Sequence, residues 1–101
     1  MTKNWSALNF YILMPTTIEE AVNRLLLTLT NDELQEVCAT PKEDIFSLHF
    51  SLGISVRNVF GLHDPHSKLV ARYPDVHPDD ISMLIIHVLW QRLQNSSIEC
   101  Q

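Results

Sequence analysis

The sequence predicts an all-α fold, a compact single-domain bundle of four main helices plus a short fifth, with an apolar N-terminal arm. Apolar residues recur at spacings of three and four along most of the chain, which places them on one face of a helix. Residue types that commonly begin helices precede these segments. Only the apolar run before Pro15 could be read as a strand. With 101 residues, 46% of them hydrophobic, the chain can bury one core.

We expect three regions along the chain: an N-terminal arm at residues 1–14, a helical domain at residues 15–94 and a flexible tail at residues 95–101. The apolar part of the arm is shorter than a membrane span, and it lacks the basic start and cleavage site of a signal peptide. Cys38 and Cys100 have neither zinc-type spacing nor the pattern of a disulfide framework. The sequence therefore predicts a mature protein that comprises the whole chain and resides in the reducing cytoplasm.

The first helix is expected to begin after Thr17, because a hydroxyl cap followed by acids suits the positive end of a helix. It runs to about residue 29 and buries one stripe, from which Leu27 points away. Thr30 and Glu33 have the spacing of a capping box, so a short second helix follows and ends near Cys38. The stripe of the first helix consists of Ile18, Ala21, Val22, Leu25, Leu26 and Leu29.

The third helix is predicted to be continuous and central. Thr40 would cap it, Pro41 would occupy its first position, and Gly61 would end it. Most of its circumference is apolar, as in a helix that is packed on several sides. Gly53 in its interior costs about 1 kcal/mol relative to alanine, so we expect close packing or a kink at that position.

A short helix at residues 67–73 and a long last helix complete the bundle. His77 and Pro78 begin the last helix, since proline suits the first turn and the carboxylates of Asp79 and Asp80 favour its positive end. The predicted core stripe of this helix consists of Ile81, Leu84, Ile85, Val88, Leu89 and Leu93.

Two blocks of the second half resemble a bacterial family of small helical domains of unknown function. The first block, LHFxLGxxxRNxFGL, spans residues 48–62, and the second, PDDxSxxIIxxLW, spans residues 78–90. Residues 15–25 are similar to a PxxxxEAxxxL opening. The resemblance covers most of residues 15–93 and implies a small helical domain, without implying an activity. Relatives usually carry tryptophan after the first block, where this chain has His63.

Arg57 and the Asp79–Asp80 pair are the most distinctive polar residues. A guanidinium within an apolar arc needs acceptors for its donors, and a carboxylate matches its fork geometry. The favoured interpretation is an internal ion pair that docks the third helix on the last one, with His49 and Asn58 as further members of this structural polar core. The alternative is an arginine held ready for an anionic ligand.

A second site hypothesis concerns the histidines. His63, His66 and His77 lie in or beside loops and could supply zinc ligands, but the sequence has no HExxH motif and no cysteine pair. We therefore predict no metal and no cofactor. A small-ligand or metal site remains the alternative, and it would use His49, Arg57, Asn58 and the loop at residues 63–80.

The sequence contains no catalytic template. It has no nucleophile elbow and no histidine at a meaningful spacing from a cysteine. Its two glycines are too few for a phosphate-binding loop. A net charge of −5 argues against binding to nucleic acid or to an anionic membrane. We predict a protein that is not an enzyme and that binds neither nucleic acid nor membranes.

Interaction surfaces are the better prospect. Leu27, Met83 and Trp90 lie off the predicted core stripes and could mark a partner site or a homodimer seam, although the N-terminal arm could equally cover them. The acidic partner-binding candidates are Glu19, Glu20, Glu33 and Glu36. The leading hypothesis is a protein-binding domain, an immunity-like or regulatory accessory of a bacterium or its phage. Its partner would be another protein or a second copy of itself. An acidic nucleic-acid mimic ranks third.

Overall fold

The computed structural model describes residues 14–95, which form six helices. They are α1 (Ile18–Thr28), α2 (Asn31–Ala39), a 3₁₀ helix (Lys42–Phe50), α3 (Leu52–Val59), α4 (Lys68–Ala71) and α5 (Pro78–Gln94). The described residues contain no strand, so the predicted all-α class is confirmed for this part of the chain. The predicted arm up to residue 13 and the tail from residue 96 lie outside the described residues.

Three helices begin where the sequence predicts. The Thr17 hydroxyl accepts a backbone N–H from the first turn of α1. The capping box of α2 is complete, because the Thr30 hydroxyl accepts from the Glu33 N–H at 3.2 Å and the Glu33 carboxylate accepts from the Thr30 N–H at 2.9 Å. At the start of α5, the Nδ1 atom of His77 accepts from the backbone N–H of Asp79 at 3.0 Å. Local capping chemistry therefore decides these three boundaries.

Replacing Thr30 by alanine should lower the free energy of unfolding by about 1 kcal/mol, because the substitution removes an N-cap acceptor. Urea denaturation followed by far-ultraviolet circular dichroism measures the change. Thr30→Ser keeps the hydroxyl and should retain most of the stability. An equal loss in both variants would contradict the role of the hydroxyl.

The last helix, α5, is the central element of the fold. It contacts α1, α2, α3 and the 3₁₀ helix. The sequence assigned this position to the third helix, and that prediction is wrong. The reason is that α5 buries a wide arc of its circumference. Leu84, which was predicted to belong to the core stripe of this helix, is 42% exposed. The buried residues of α5 are Ile81, Ser82, Ile85, Ile86, Leu89 and Leu93.

The predicted third helix is two helices. The backbone breaks at Ser51, whose φ of −128° and ψ of −87° are not helical. Thr40 ends α2 instead of capping the next helix, and Pro41 precedes the 3₁₀ helix as its N-cap. The prediction of one continuous helix is therefore wrong, because the chain changes from a 3₁₀ period to an α-helical period within it.

The end of α3 matches the prediction. Gly61 has a φ of +62°, a left-handed conformation that glycine adopts without steric cost. Its N–H donates to the Asn58 carbonyl at 3.3 Å, and the Leu62 N–H donates to the Arg57 carbonyl at 3.0 Å. These two hydrogen bonds form a Schellman motif, which satisfies carbonyls at the helix end.

The described residues include one of the two cysteines, Cys38. Cys38 lies in the core and is disulfide-bonded, a bond that the sequence analysis did not predict. A cytoplasmic location stays a prediction. None of the helices in residues 14–95 has the length and hydropathy that crossing a bilayer requires.

Candidate functional site

The 3₁₀ helix exposes two phenylalanines. Such a helix has three residues per turn, so side chains three positions apart lie in one row. The row that contains Ile45 and Leu48 is buried in the core. Phe46 and Phe50 lie in the other two rows and are 64% and 69% exposed. Both belong to the segment that was predicted to be a continuous central α-helix with a mostly apolar circumference. The shorter period turns them towards solvent.

His49 joins the two phenylalanines. Its ring stacks on Phe46, with centroids 5.4 Å apart and 4° between the ring planes. Phe50 meets the His49 ring edge-on at a centroid distance of 5.0 Å, and the two phenylalanine centroids are 6.1 Å apart. These are arrangements that aromatic pairs prefer. We call Phe46, His49 and Phe50 the aromatic face.

A groove of about 550 Å³ adjoins the aromatic face. It lies between the 3₁₀ helix and α5, and Val76 from the segment before α5 also lines it. Because Phe46 lines the groove as well, the aromatic face and the groove form one continuous surface. Its remaining apolar lining consists of Ile45, Met83 and Leu84, and its polar lining consists of Lys42, Asp80 and His87.

Arg57 connects the aromatic face to α5. Its side chain is only 11% exposed. The Nη1 atom lies 3.2 Å from Nδ1 of His49 and donates to the Ser82 hydroxyl at 3.1 Å. The Nη2 atom donates to the His49 carbonyl at 3.4 Å, and Nε lies 3.4 Å from Oδ1 of Asp79. One guanidinium on α3 thus bridges the 3₁₀ helix and α5.

The contact with Arg57 sets the tautomer of His49. A guanidinium has only donors, so Nδ1 of His49 accepts the hydrogen bond and the ring proton lies on Nε2. The Ser82 hydroxyl accepts from Arg57 and donates to the Asp79 carbonyl at 2.7 Å. The acceptors around Arg57 are therefore held in place, and this arrangement orients the His49 ring within the aromatic face.

Of the predicted polar core, the structure brings together His49, Arg57 and Asp79. Asn58 and Asp80 are exposed, and Asp80 lines the groove instead of pairing with the arginine. The physical reason is that neighbouring residues on a helix point about 100° apart. When Arg57 and Asp79 face each other, the side chains that follow them turn away. The assignment of Asn58 and Asp80 to the core is therefore corrected.

The histidines that were considered as metal ligands do not form a ligand set. His63 approaches the carboxylate of Asp79, with Nε2 3.4 Å from Oδ1. His77 uses its Nδ1 atom to cap α5, and the backbone N–H of His66 donates to Asp64 within its loop. Within residues 14–95, no three His, Cys, Asp or Glu side chains are arranged to hold a metal ion.

The three apolar partner candidates differ in exposure. Leu27 is 85% exposed. Trp90 packs partly buried against the core and donates its indole N–H to the Thr40 carbonyl at 2.7 Å. Met83 also packs against the core and lines the groove. Trp90 therefore docks α5 on the end of α2, and Met83 belongs to the groove that adjoins the aromatic face.

The four acidic candidates differ in their exposure and in their contacts. Glu19 pairs with an arginine of α5. The backbone N–H and the hydroxyl of Thr16 donate to Glu20, which lowers the pKa of the Glu20 carboxyl. Glu33 is buried in its capping box, so it is not the surface residue that the sequence analysis proposed. Glu36 is exposed.

The sequence did not reveal which residues build the exposed surface. Leu84 was assigned to a core stripe, Phe46 and Phe50 belong to a helix that was expected to pack on several sides, and Ser82 was not singled out. The spacing of Ile45 and Leu48 was the available signal, but a spacing of three fits an α-helix as well as a 3₁₀ helix. Sequence periodicity could not separate the two over so short a segment.

No curated protein and no solved structure matches this chain. Residues 14–93 match the family described as a domain of unknown function, DUF6794. The match includes five helices completely and α5 up to its penultimate residue. The protein therefore belongs to the DUF6794 family.

Proposed function

We propose that this protein is a non-enzymatic protein-binding domain that engages its partner through the aromatic face and the adjoining groove. The single observation that carries the proposal is the exposure of Phe46 and Phe50, at 64% and 69%. They lie beside each other, and Phe46 lines the groove together with Leu84, which is 42% exposed.

An exposed cluster of this kind is unfavourable in water, because burying large apolar side chains lowers the free energy of the system. Scattered single hydrophobic residues are ordinary on protein surfaces, but contiguous apolar patches commonly mark interaction sites. Aromatic side chains are also enriched at the centres of protein interfaces. The combination of two phenylalanines and a groove therefore supports a docking surface.

The rigidity of the aromatic face also supports binding. Arg57 holds both the ring and the backbone carbonyl of His49, and His49 in turn contacts both phenylalanines. A surface that is already ordered loses less conformational entropy when a partner binds. Arg57 also donates to Ser82 and pairs with Asp79, so most of its N–H groups already face partners within the protein. This disfavours the alternative of an arginine held ready for an anionic ligand.

A regulatory or immunity-like accessory role in a bacterium or its phage, in the cytoplasm, is consistent with this proposal. Such proteins act by occupying a surface of another protein, so they require shape and charge complementarity and no reacting group. The absence of a catalytic template in the sequence motivates this interpretation.

Phe46→Ser should abolish capture of the partner without changing the fold, because the side chain is exposed and central to the proposed surface. The measurement uses the tagged full-length protein as bait in an extract of its native cells, and mass spectrometry quantifies any stoichiometric partner. Circular dichroism checks that the variant remains folded.

Leu27→Ser is the matched control, since Leu27 is equally apolar and 85% exposed on α1. It should leave the captured partner unchanged. If Leu27→Ser removes the partner and Phe46→Ser does not, the binding surface lies on α1 and the proposal is wrong. A wild-type protein that captures no stoichiometric partner would also count against it.

A further inference from the structure

We infer that the occupant of the groove is an amphipathic helix of another protein, with basic residues flanking its apolar side. This inference rests on the proposed function and specifies the chemistry of the partner. It follows from the shape of the groove and from the charges that surround it.

The shape of the groove favours a helix. Its walls are the 3₁₀ helix and α5, and neighbouring helical elements leave grooves that accept the ridge of side chains on a third helix. Strand addition would need an exposed sheet edge, and residues 14–95 contain no strand. An amphipathic helix can instead present side chains at positions i, i+3 or i+4, and i+7 to Phe46 and Leu84.

The charges around the surface favour a basic partner. In the 3₁₀ helix, Glu43 lies one turn before Phe46 in the same row, and Asp44 begins the row that leads to Phe50. Both acids are exposed, and Asp80 lines the groove. Lys42 is the cation in the groove lining. On the 3₁₀ helix and in the groove taken together, the exposed acids Glu43, Asp44 and Asp80 outnumber Lys42, in line with the net charge of −5 of the whole chain.

The same charges disfavour a second copy of this chain as the occupant. A two-fold symmetric dimer places the same surface on both sides of the contact. Two surfaces on which Glu43, Asp44 and Asp80 outnumber Lys42 would then face each other, and such like-charge juxtaposition weakens association. A partner that carries lysine or arginine beside its apolar residues forms opposite-charge pairs instead.

Two synthetic peptides of about 18 residues, long enough for a helix, test this inference. Both carry the same leucines at helical spacing. One has lysine at the flanking positions, and the other has glutamate. Fluorescence anisotropy with the full-length protein should give a dissociation constant at least about tenfold lower for the lysine peptide, and added salt should weaken its binding.

Variants separate the apolar and the charged contributions. Phe46→Ser should weaken binding of the lysine peptide about tenfold or more, whereas Leu27→Ser should not. The double variant Glu43→Lys, Asp44→Lys should lose the preference for the lysine peptide and keep the affinity that the leucines supply.

The outcomes distinguish this inference from the proposed function. If the glutamate peptide binds as tightly as the lysine peptide, or if neither binds, the basic helix is wrong while capture of a partner through Phe46 can still hold. A wild-type dimer in analytical ultracentrifugation that Phe46→Ser dissociates would make a second copy the occupant and overturn the inference. If Phe46→Ser changes neither peptide binding nor partner capture, both proposals fail.

Discussion

Replacing Arg57 by alanine is expected to lower the free energy of unfolding by about 1.5–3 kcal/mol, the range for hydrogen bonds to a charged group. The substitution removes the contacts with His49, Asp79 and Ser82 and leaves the Nδ1 acceptor of His49 without its donor. Breaking a fully buried pair costs more, about 3–5 kcal/mol. Here Asp79 is 41% exposed, so water can solvate its carboxylate in the variant.

Urea denaturation followed by circular dichroism measures this loss of stability. Two further variants serve as comparisons. Arg57→Lys keeps the charge, but a single ammonium cannot reach all of the acceptors at once, so an intermediate loss is expected. Arg72→Ala removes an exposed arginine and should change the stability by less than about 0.5 kcal/mol. An Arg57→Ala curve that superimposes on that of the wild type would show that Arg57 does not hold the fold together.

Gly53→Ala is expected to destabilise the protein by about 1–2 kcal/mol, as overpacking of a close contact does. In an open helix the same substitution would stabilise it by about 1 kcal/mol. A Cβ atom at Gly53 would lie 3.0 Å from Nη1 of Arg57 and 3.3 Å from the carbonyl oxygen of Leu48. Both neighbours resist movement, because the first is held by several partners and the second is backbone.

A double-mutant cycle tests whether Arg57 is the reason that Gly53→Ala destabilises the protein instead of stabilising it. In the Arg57→Ala background the 3.0 Å contact is absent, so the cost of Gly53→Ala should fall by at least about 0.5 kcal/mol. The Leu48 carbonyl remains as a smaller obstacle. Ser55→Ala on the same helix is the matched control for a substitution to alanine. If Gly53→Ala stabilises the wild-type background, the close approach is tolerated and the expectation is wrong.

The helix starts show how much of the fold can be predicted from local chemistry. Thr17, Thr30 and the His77-Pro78 pair each act within one helical turn, so a few neighbouring residues contain the whole interaction. The same holds for Gly61, whose left-handed conformation ends α3. These boundaries could therefore be predicted without knowledge of the packing.

The helix type in the segment from the 3₁₀ helix to α3 could not be predicted from local chemistry. A 3₁₀ helix and an α-helix differ by only a fraction of a residue per turn, and the apolar spacing of Ile45 and Leu48 suits both. Docking against α5 favours the arrangement that buries these two residues and leaves Phe46 and Phe50 outside. The binding surface that we propose therefore arises from a choice between two similar backbone periods.

The partners of Arg57 also required the tertiary structure. The sequence indicates that a guanidinium in an apolar segment needs acceptors, and it offers the carboxylates at the start of the last helix. It does not tell which carboxylate faces inward, nor that Ser82 and the carbonyl of His49 contribute acceptors. These contacts join residues far apart in the chain, so they depend on how the helices dock.

Patterns in the sequence were enough to predict the all-α class of the described residues, three helix starts, one helix end and the family. Each of these depends on periodicity, capping or motif, which act over short stretches of chain. Only the tertiary structure decided that α5 is central, that the third segment divides at Ser51, and that an aromatic face lies open beside a groove. The reason is that burial is a competition among all helices for one core, and a residue's neighbours in sequence do not settle its outcome.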